Sequence, residues 1–169
     1  MRLTGRAPDG GLTSEGRSQV QAAADKLDRM PPTAIYSSPR RRTLETAQLV
    51  GERFGLHVTE ANALDEIDFG EWTGARFVDL AGDRRWSEWN KHRATARCPG
   101  GESQTEAQAR ALAFAFEAAA GSEKPLLVTH CDVIRALVCW QDRRSLDRIH
   151  EVSCEPGSLS SVELAEAVA

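Results

Sequence analysis

LLVTHCDVIR, residues 126–135, takes an apolar run straight into His130 and Cys131 and on to Asp132 and Arg135. With Pro125 in front, PLLVTH has the length and pattern of a buried strand. The residues after it repeat at helical spacing, which predicts a helix over roughly 132–140. A strand that hands over directly to a helix is half of a β–α unit, and such units build parallel sheets. Ligands of those sheets sit beyond the carboxyl ends of the strands. Fold and site therefore hang on the same short stretch.

The flanking sequence continues the alternation. TSEGRSQVQAAADKLDRM, residues 13–30, sets Val20, Ala23, Ala24, Leu27 and Met30 at helical spacing behind a candidate N-cap, Thr13. PPTAIYSSP predicts a short strand near 33–37. A second helix follows, with Leu44, Ala47, Val50 and Phe54 on one stripe and Gly55 at its end. HVTE, residues 57–60, is a further strand candidate. PGGES at 99–103 is a turn, and Ser103 with Glu106 makes a capping box for a helix carrying Ala109, Leu112, Phe116 and Ala119 inward. GSLSSVEL, 157–164, reads as a final strand. The expected fold class is α/β: three layers, with a mostly parallel central sheet flanked by helices. One domain is expected over 1–169, with the irregular Trp-, Arg-, Asp- and Gly-rich stretch 61–102 covering one end of the core.

Composition narrows the function classes. The 169 residues are 41% hydrophobic and 27% charged, an ordinary globular balance. A net charge of −4 lacks the basic footprint of a nucleic-acid binder. No apolar run approaches a membrane span and no signal peptide opens the chain, so no membrane partner and a cytoplasmic location are expected. The cysteines Cys98, Cys131, Cys139 and Cys154 form no CxxC pair. Reduced thiols, no structural zinc and no disulfide framework are the simple expectation.

Two strand ends hold the candidate chemistry. In YSSPRRRTLETA, residues 36–47, Arg40, Arg41 and Arg42 fall at a helix start, where cations are mildly unfavourable. A bound anion would justify them, since amides and arginines together form a phosphate site. A solvated patch pairing with Glu45 accounts for them equally well. His130 ends its strand beside exposed helix amides, which favours an anion-facing role. Cys131 offers a rival, a phosphatase thiol. That chemistry needs an arginine six positions after the cysteine, where Leu137 stands, and a glycine-bearing loop that is lacking here. Cys131 is instead read as a small buried residue. LDEIDFGEWTG, residues 64–74, supplies four acids, Asp65, Glu66, Asp68 and Glu71, any of which could protonate a leaving oxygen. Phe69, Trp72, Trp86 and Trp89 are read as packing residues.

Taken in order, LTSEGRSQ, YSSPRRRTLETA, LDEIDFGEWTG, PGGES and VTHCDVIR resemble the histidine phosphatase (phosphoglycerate mutase-like) superfamily over roughly 4–164. The FGEW and PGGES elements look more like its small phosphatase branches, including α-ribazole phosphatase-like members. The resemblance implies phosphoryl transfer through a phosphohistidine, without metal or other cofactor, on a small phosphorylated substrate. It assigns Arg42 to phosphate binding, Glu66 to proton donation, and His130 to the second histidine that contacts the phosphoryl group. Thr4 and Gly5 match a substrate-contacting loop, and 61–102 becomes a lid. Oligomeric state is left open.

The chain departs from the family pattern at its start. The family opens with a strand ending in Arg-His-Gly, whose histidine is the nucleophile. MRLTGRAPDGG resembles the loop after that strand. The usual Ser-His-Gly is Thr129-His130-Cys131, and SSPL is Ser37-Ser38-Pro39-Arg40. The nucleophile and first strand are therefore expected upstream of Met1, because losing a central strand would expose apolar faces and unpaired edges. The alternative is a non-catalytic module that holds phosphate or binds a protein partner.

Overall fold

The computed structural model describes residues 1–164. Thr13 caps the first helix, α1 (Ser14–Leu27), by accepting the Gly16 N–H at 3.0 Å. The chain then forms the central strand β1 (Ala34–Ser37) and α2 (Arg41–Phe54). Gly55 ends α2 at φ +67°, a left-handed stop that glycine adopts at no steric cost. Strand β2 (Val58–Glu60) follows. After the irregular segment come α5 (Gln104–Gly121), β3 (Pro125–Val128) and α6 (Cys131–Gln141), with α3 (Phe77–Leu80) and α4 (Arg84–Lys91) inside that segment.

The sheet order is β2-β1-β3, parallel throughout, and Ile35 stands opposite Val58 on one side and Leu126 on the other. Helices α1 and α2 cover one face, where Val20, Ala24, Ala47 and Val50 pack with Ile35, Leu126 and Val128. On the other face Phe114 of α5 meets Tyr36 edge-on, ring centroids 5.3 Å apart. Helix α6 packs on α5 through Ala111, Val133 and Leu137. This is the three-layer α/β arrangement read from the sequence.

Three sequence readings are corrected. The inward face of α5 is Ala107, Ala111, Ala115 and Ala118, whereas Ala109, Phe116 and Ala119 are exposed and Leu112 is half-buried. An alanine-rich helix gives a shallow periodicity, and the small side chains pack while Phe116 turns to Trp140, centroids 5.7 Å apart. Met30 lies past the end of α1 and is exposed. GSLSSVEL, 157–164, forms no strand: a strand needs a partner edge, and residues 157–161 lie exposed with no ladder.

Among the described residues β3 pairs only with β1. All four of its residues are half-buried, although Leu126, Leu127 and Val128 are apolar. Along the unpaired edge runs a groove of about 800 Å³, walled by Leu12, Val20, Leu27, Ile134 and Leu159.

The segment between β2 and α5 is a second core. Phe69, Trp72, Leu80 and Trp89 are buried together, as the aromatic spacing predicts. The Arg93 guanidinium stacks 3.4 Å above the Trp89 ring, a desolvated cation–π contact that suits an arginine better than a lysine. Two glycine turns lock this core to the acidic loop. A Cβ on Gly101 would collide with the Asp68 carbonyl, and one on Gly70 with that of Pro99. Gly101→Ala is therefore expected to destabilise the fold by about 1–3 kcal/mol, read as a lowered denaturant midpoint at unchanged slope.

Candidate active site

The carboxyl ends of β1 and β3 lie side by side, joined where the Ser38 N–H donates to the Val128 carbonyl at 2.9 Å. His130 follows β3 as the N-cap of α6 and is only 5% exposed. Its ring spans two partners, Ser38 Oγ at 2.6 Å from Nε2 and Arg42 Nη2 at 2.9 Å from Nδ1. A guanidinium only donates, so Nδ1 accepts and the ring proton sits on Nε2, directed at Ser38. Burial, with the charges of Arg42 and Arg40 behind it, pushes His130 down to about 3. The imidazole is neutral at physiological pH.

Arg42 comes from the first turn of α2 and reaches the same point. Its Nη1 donates to Asp9 Oδ2 at 2.7 Å, and its Nη2 also donates to the Gly5 carbonyl at 3.0 Å. The three consecutive arginines diverge. Arg41 is the solvated one, pairing with Glu45 at 2.8 Å. Arg40 grips Asp65 with two hydrogen bonds of 2.9 and 2.7 Å. Arg42 alone of the three lines both the groove and a second cavity.

The four acids separate just as clearly. Asp65 is taken by Arg40, Asp68 accepts the Gly70 N–H at 2.9 Å, and Glu71 is exposed beside Arg85. Glu66 keeps one carboxyl oxygen toward the site, with Oε2 3.9 Å from His130 Nδ1 and Oε1 accepting the Ile67 N–H at 3.0 Å. Burial first, then the nearby Asp132 charge, pushes Glu66 up to about 8. A carboxyl that holds its proton at neutral pH, beside a neutral imidazole and an arginine, can donate that proton to a leaving oxygen.

A supporting layer fixes these groups. The Glu66 carbonyl accepts from Arg6 Nε at 2.7 Å and Arg110 Nη2 at 3.1 Å, and both arginines pair with Glu102 of the PGGES turn. Thr129 Oγ1 donates to the Leu64 carbonyl at 2.6 Å, tying the end of β3 to the acidic loop. Asp9, Arg6, Glu102 and Arg110 were not singled out from sequence, whereas Ser38 lies in the strand-to-helix stretch that was. Their partners lie far along the chain, so only a folded arrangement shows their pairing.

Thr4 and Gly5 line the second cavity, of about 360 Å³, in front of Arg42 and Glu66. Gly5 is buried at φ +52° while Thr4 is exposed. Phe77, Trp86 and Asn90 form another part of the wall, and Arg2, Arg93 and Arg135 bring positive charge to it. Trp86 therefore both packs and lines a cavity. Cys131 is half-buried rather than buried, because it opens onto both cavities. Among the described residues no helix is long and apolar enough to cross a membrane, and no group of three or more metal-ligating side chains occurs.

Beside two parallel strand ends of an α/β domain, an arginine, a neutral histidine and a protonated carboxyl come together. A sequence profile of the histidine phosphatase superfamily (branch 1) matches residues 1–168, and the chain belongs to that family. It is similar to the glucosyl-3-phosphoglycerate phosphatase of Mycolicibacterium vanbaalenii, 36% identical over 140 residues, covering 76% of this chain and 62% of the relative. Phosphoserine phosphatase 1 of Hydrogenobacter thermophilus is 28% identical over 165 residues, covering 94% of this chain and 77% of the relative. The mycobacterial glucosyl-3-phosphoglycerate phosphatase solved with inorganic phosphate superposes with a TM-score of 0.77 at 29% identity, covering 90% of this chain and 78% of that one. The chain spans about three fifths of the length of the glucosyl-3-phosphoglycerate phosphatases it matches.

Proposed function

We propose that the complete protein is a phosphomonoesterase that hydrolyses a small phosphate ester through a phosphohistidine. The observation that carries this reading is the convergence of Arg42, neutral His130 and protonated Glu66 on the wall of the groove along β3, with Arg42 and Glu66 also facing the second cavity. The nucleophilic histidine is assigned to a strand upstream of Met1. A parallel strand laid along the unpaired edge of β3 would fill the groove, whose wall includes Arg42 and His130.

The attacking imidazole nitrogen forms a bond to phosphorus as the ester P–O bond breaks. Glu66 gives its proton to the departing oxygen. Water then attacks phosphorus as the P–N bond breaks and its electron pair returns to the imidazole nitrogen; the water proton passes to the Glu66 carboxylate, and phosphate leaves with the acid restored. Arg42 faces the negative charge that spreads over the phosphoryl oxygens. When a phosphoryl oxygen displaces Arg42 from His130 Nδ1, the dianion favours a proton on that nitrogen, and His130 then donates too. Phosphate binding is thus expected to take up a proton and to strengthen toward mildly acidic pH.

Residues 61–102 act in this reading as the lid that sets substrate choice. The relatives' names describe phosphate esters of small carboxylic acids. Arg2 and Arg135 on the cavity wall suit a carboxylate of that kind. The alternative, a module that binds phosphate without turnover, makes the opposite prediction for activity. Turnover of p-nitrophenyl phosphate and phosphate-induced thermal stabilisation should be measured side by side on the 169-residue chain and on an N-terminally extended form. Turnover confined to the extended form supports the phosphatase, and stabilisation of both without turnover supports the binding module. Arg42→Ala is expected to abolish the stabilisation in either form, because it removes the charged donor. Undiminished stabilisation in that variant would show that phosphate binds elsewhere.

A further inference from the structure

Cys131 opens α6 beside His130, and Cys154 lies on the segment that follows the 3-10 turn Leu146–Glu151. Both are half-buried and both line the groove along β3. The Cys131 thiol donates to the Cys154 carbonyl oxygen at 3.5 Å, so the two cysteines touch. The segment is held against α6 by Arg135 Nε, which donates to the Val152 carbonyl at 2.9 Å. Ser158 Oγ approaches Cys154 Sγ from the other side at 3.9 Å. Two cysteines that touch in this way can reach the S–S bonding distance of about 2 Å by rotating their side chains.

We infer that Cys131 and Cys154 form a redox modification site, a dithiol that a small-molecule disulfide converts into an intramolecular disulfide at the wall of the groove. The Cys154 thiolate attacks one sulfur of the small disulfide, which breaks that S–S bond and releases one small thiolate. Cys131 passes its proton to that thiolate and attacks Cys154 Sγ, which forms the protein disulfide and releases the second small thiolate. Two protein thiols are oxidised and one small disulfide is reduced to two thiols.

The order of attack follows from the surroundings. The neighbouring Cys131 side chain pulls the Cys154 pKa down to about 7, with the Ser158 hydroxyl and the Arg135 charge acting the same way against burial. Cys131 is correspondingly held high by the same contact and by burial. Thiolate character selects the attacking sulfur. Cys98 and Cys139 are fully buried, and burial pushes Cys98 up to about 12, so neither competes. The cross-link would fix the 152–158 segment to the first turn of α6, the turn that positions His130. The inference stands on the contact between the two cysteines, and its test on the 169-residue chain does not depend on phosphatase activity.

The test is exposure of the folded 169-residue chain to oxidised glutathione, followed by thiol counting after denaturation and by peptide mass analysis. Loss of two of the four thiols, with no glutathione adduct and a linked peptide pair carrying Cys131 and Cys154, is expected. Dithiothreitol should restore all four, and the oxidised form should melt several degrees higher because the closed loop restricts the unfolded chain. Cys131→Ser should stop the reaction at a single glutathione adduct on Cys154, and Cys139→Ser should leave the linkage intact. Retention of four thiols in the native protein, or a linkage through Cys98 or Cys139, would overturn the inference.

Discussion

His130→Ala in an N-terminally extended form is expected to cut p-nitrophenyl phosphate turnover by about 10²–10³-fold, the usual effect of removing one preorganised donor to a developing oxyanion. His130 is buried, neutral and clasped between Ser38 and Arg42, so its position is set before any ligand arrives. Deletion also releases Arg42 from one of its three anchors, leaving Asp9 and the Gly5 carbonyl. His130→Gln should recover part of the loss, because an amide can still donate toward the phosphoryl group. Thermal stability must be read alongside, since a buried ring is removed and a cavity remains. A folded, extended His130→Ala protein with undiminished turnover would remove His130 from the mechanism.

Glu66→Gln carries the second large effect, and its size depends on the leaving group. An alkyl phosphate such as phosphoserine needs a proton on its departing oxygen, so the loss there is expected to be about 10²–10⁴-fold. The p-nitrophenolate ion departs without one. With that ester the variant should release one equivalent of nitrophenolate quickly and then turn over slowly, because the group that activates water is gone. In the unmodified protein, activity on alkyl esters should fall as pH rises through about 8, where Glu66 loses its proton. The sign for stability agrees. A carboxyl whose folded pKa is raised to about 8 contributes stability below its unfolded value near 4.5, and that contribution is lost as pH rises through 8. Equal losses on aryl and alkyl esters, with the basic limb unchanged, would take the proton-donor role from Glu66.

Much of this was legible in the sequence because it is local. Thr13, Gly55 and the Ser103–Glu106 box act within one helical turn of themselves, and the structure places caps at all three. The strand-to-helix transition at His130 and the arginine run after Ser38 mark two adjacent sheet ends, where Arg42 and His130 meet. What sequence reading missed is non-local. The inward face of α5 depends on which small residues meet the sheet, and alanines alone do not signal it. The choice of Glu66 among four acids came from resemblance, and the physical reason appears only in the fold, where Arg40 claims Asp65 and Arg85 stands by Glu71. The assignment of 157–164 as a strand followed its alternating pattern, but a pattern forms no ladder without an adjacent edge. Cys131 is read from sequence by its spacing to the next arginine, and its partner Cys154 lies on a segment that no local signal connects to it.

The central claim is that a histidine on a strand beside β3 takes the phosphoryl group while Arg42, Glu66 and His130 serve it. The most direct measurement is the chemical stability of the phosphoenzyme trapped from an extended Glu66→Gln protein mixed with labelled phosphate ester. A phosphoenzyme that survives alkali, is lost in acid, and maps to a histidine upstream of Met1 is the predicted result. Steady hydrolysis with no such species, or a label carried by a cysteine or by His130 itself, would contradict the account.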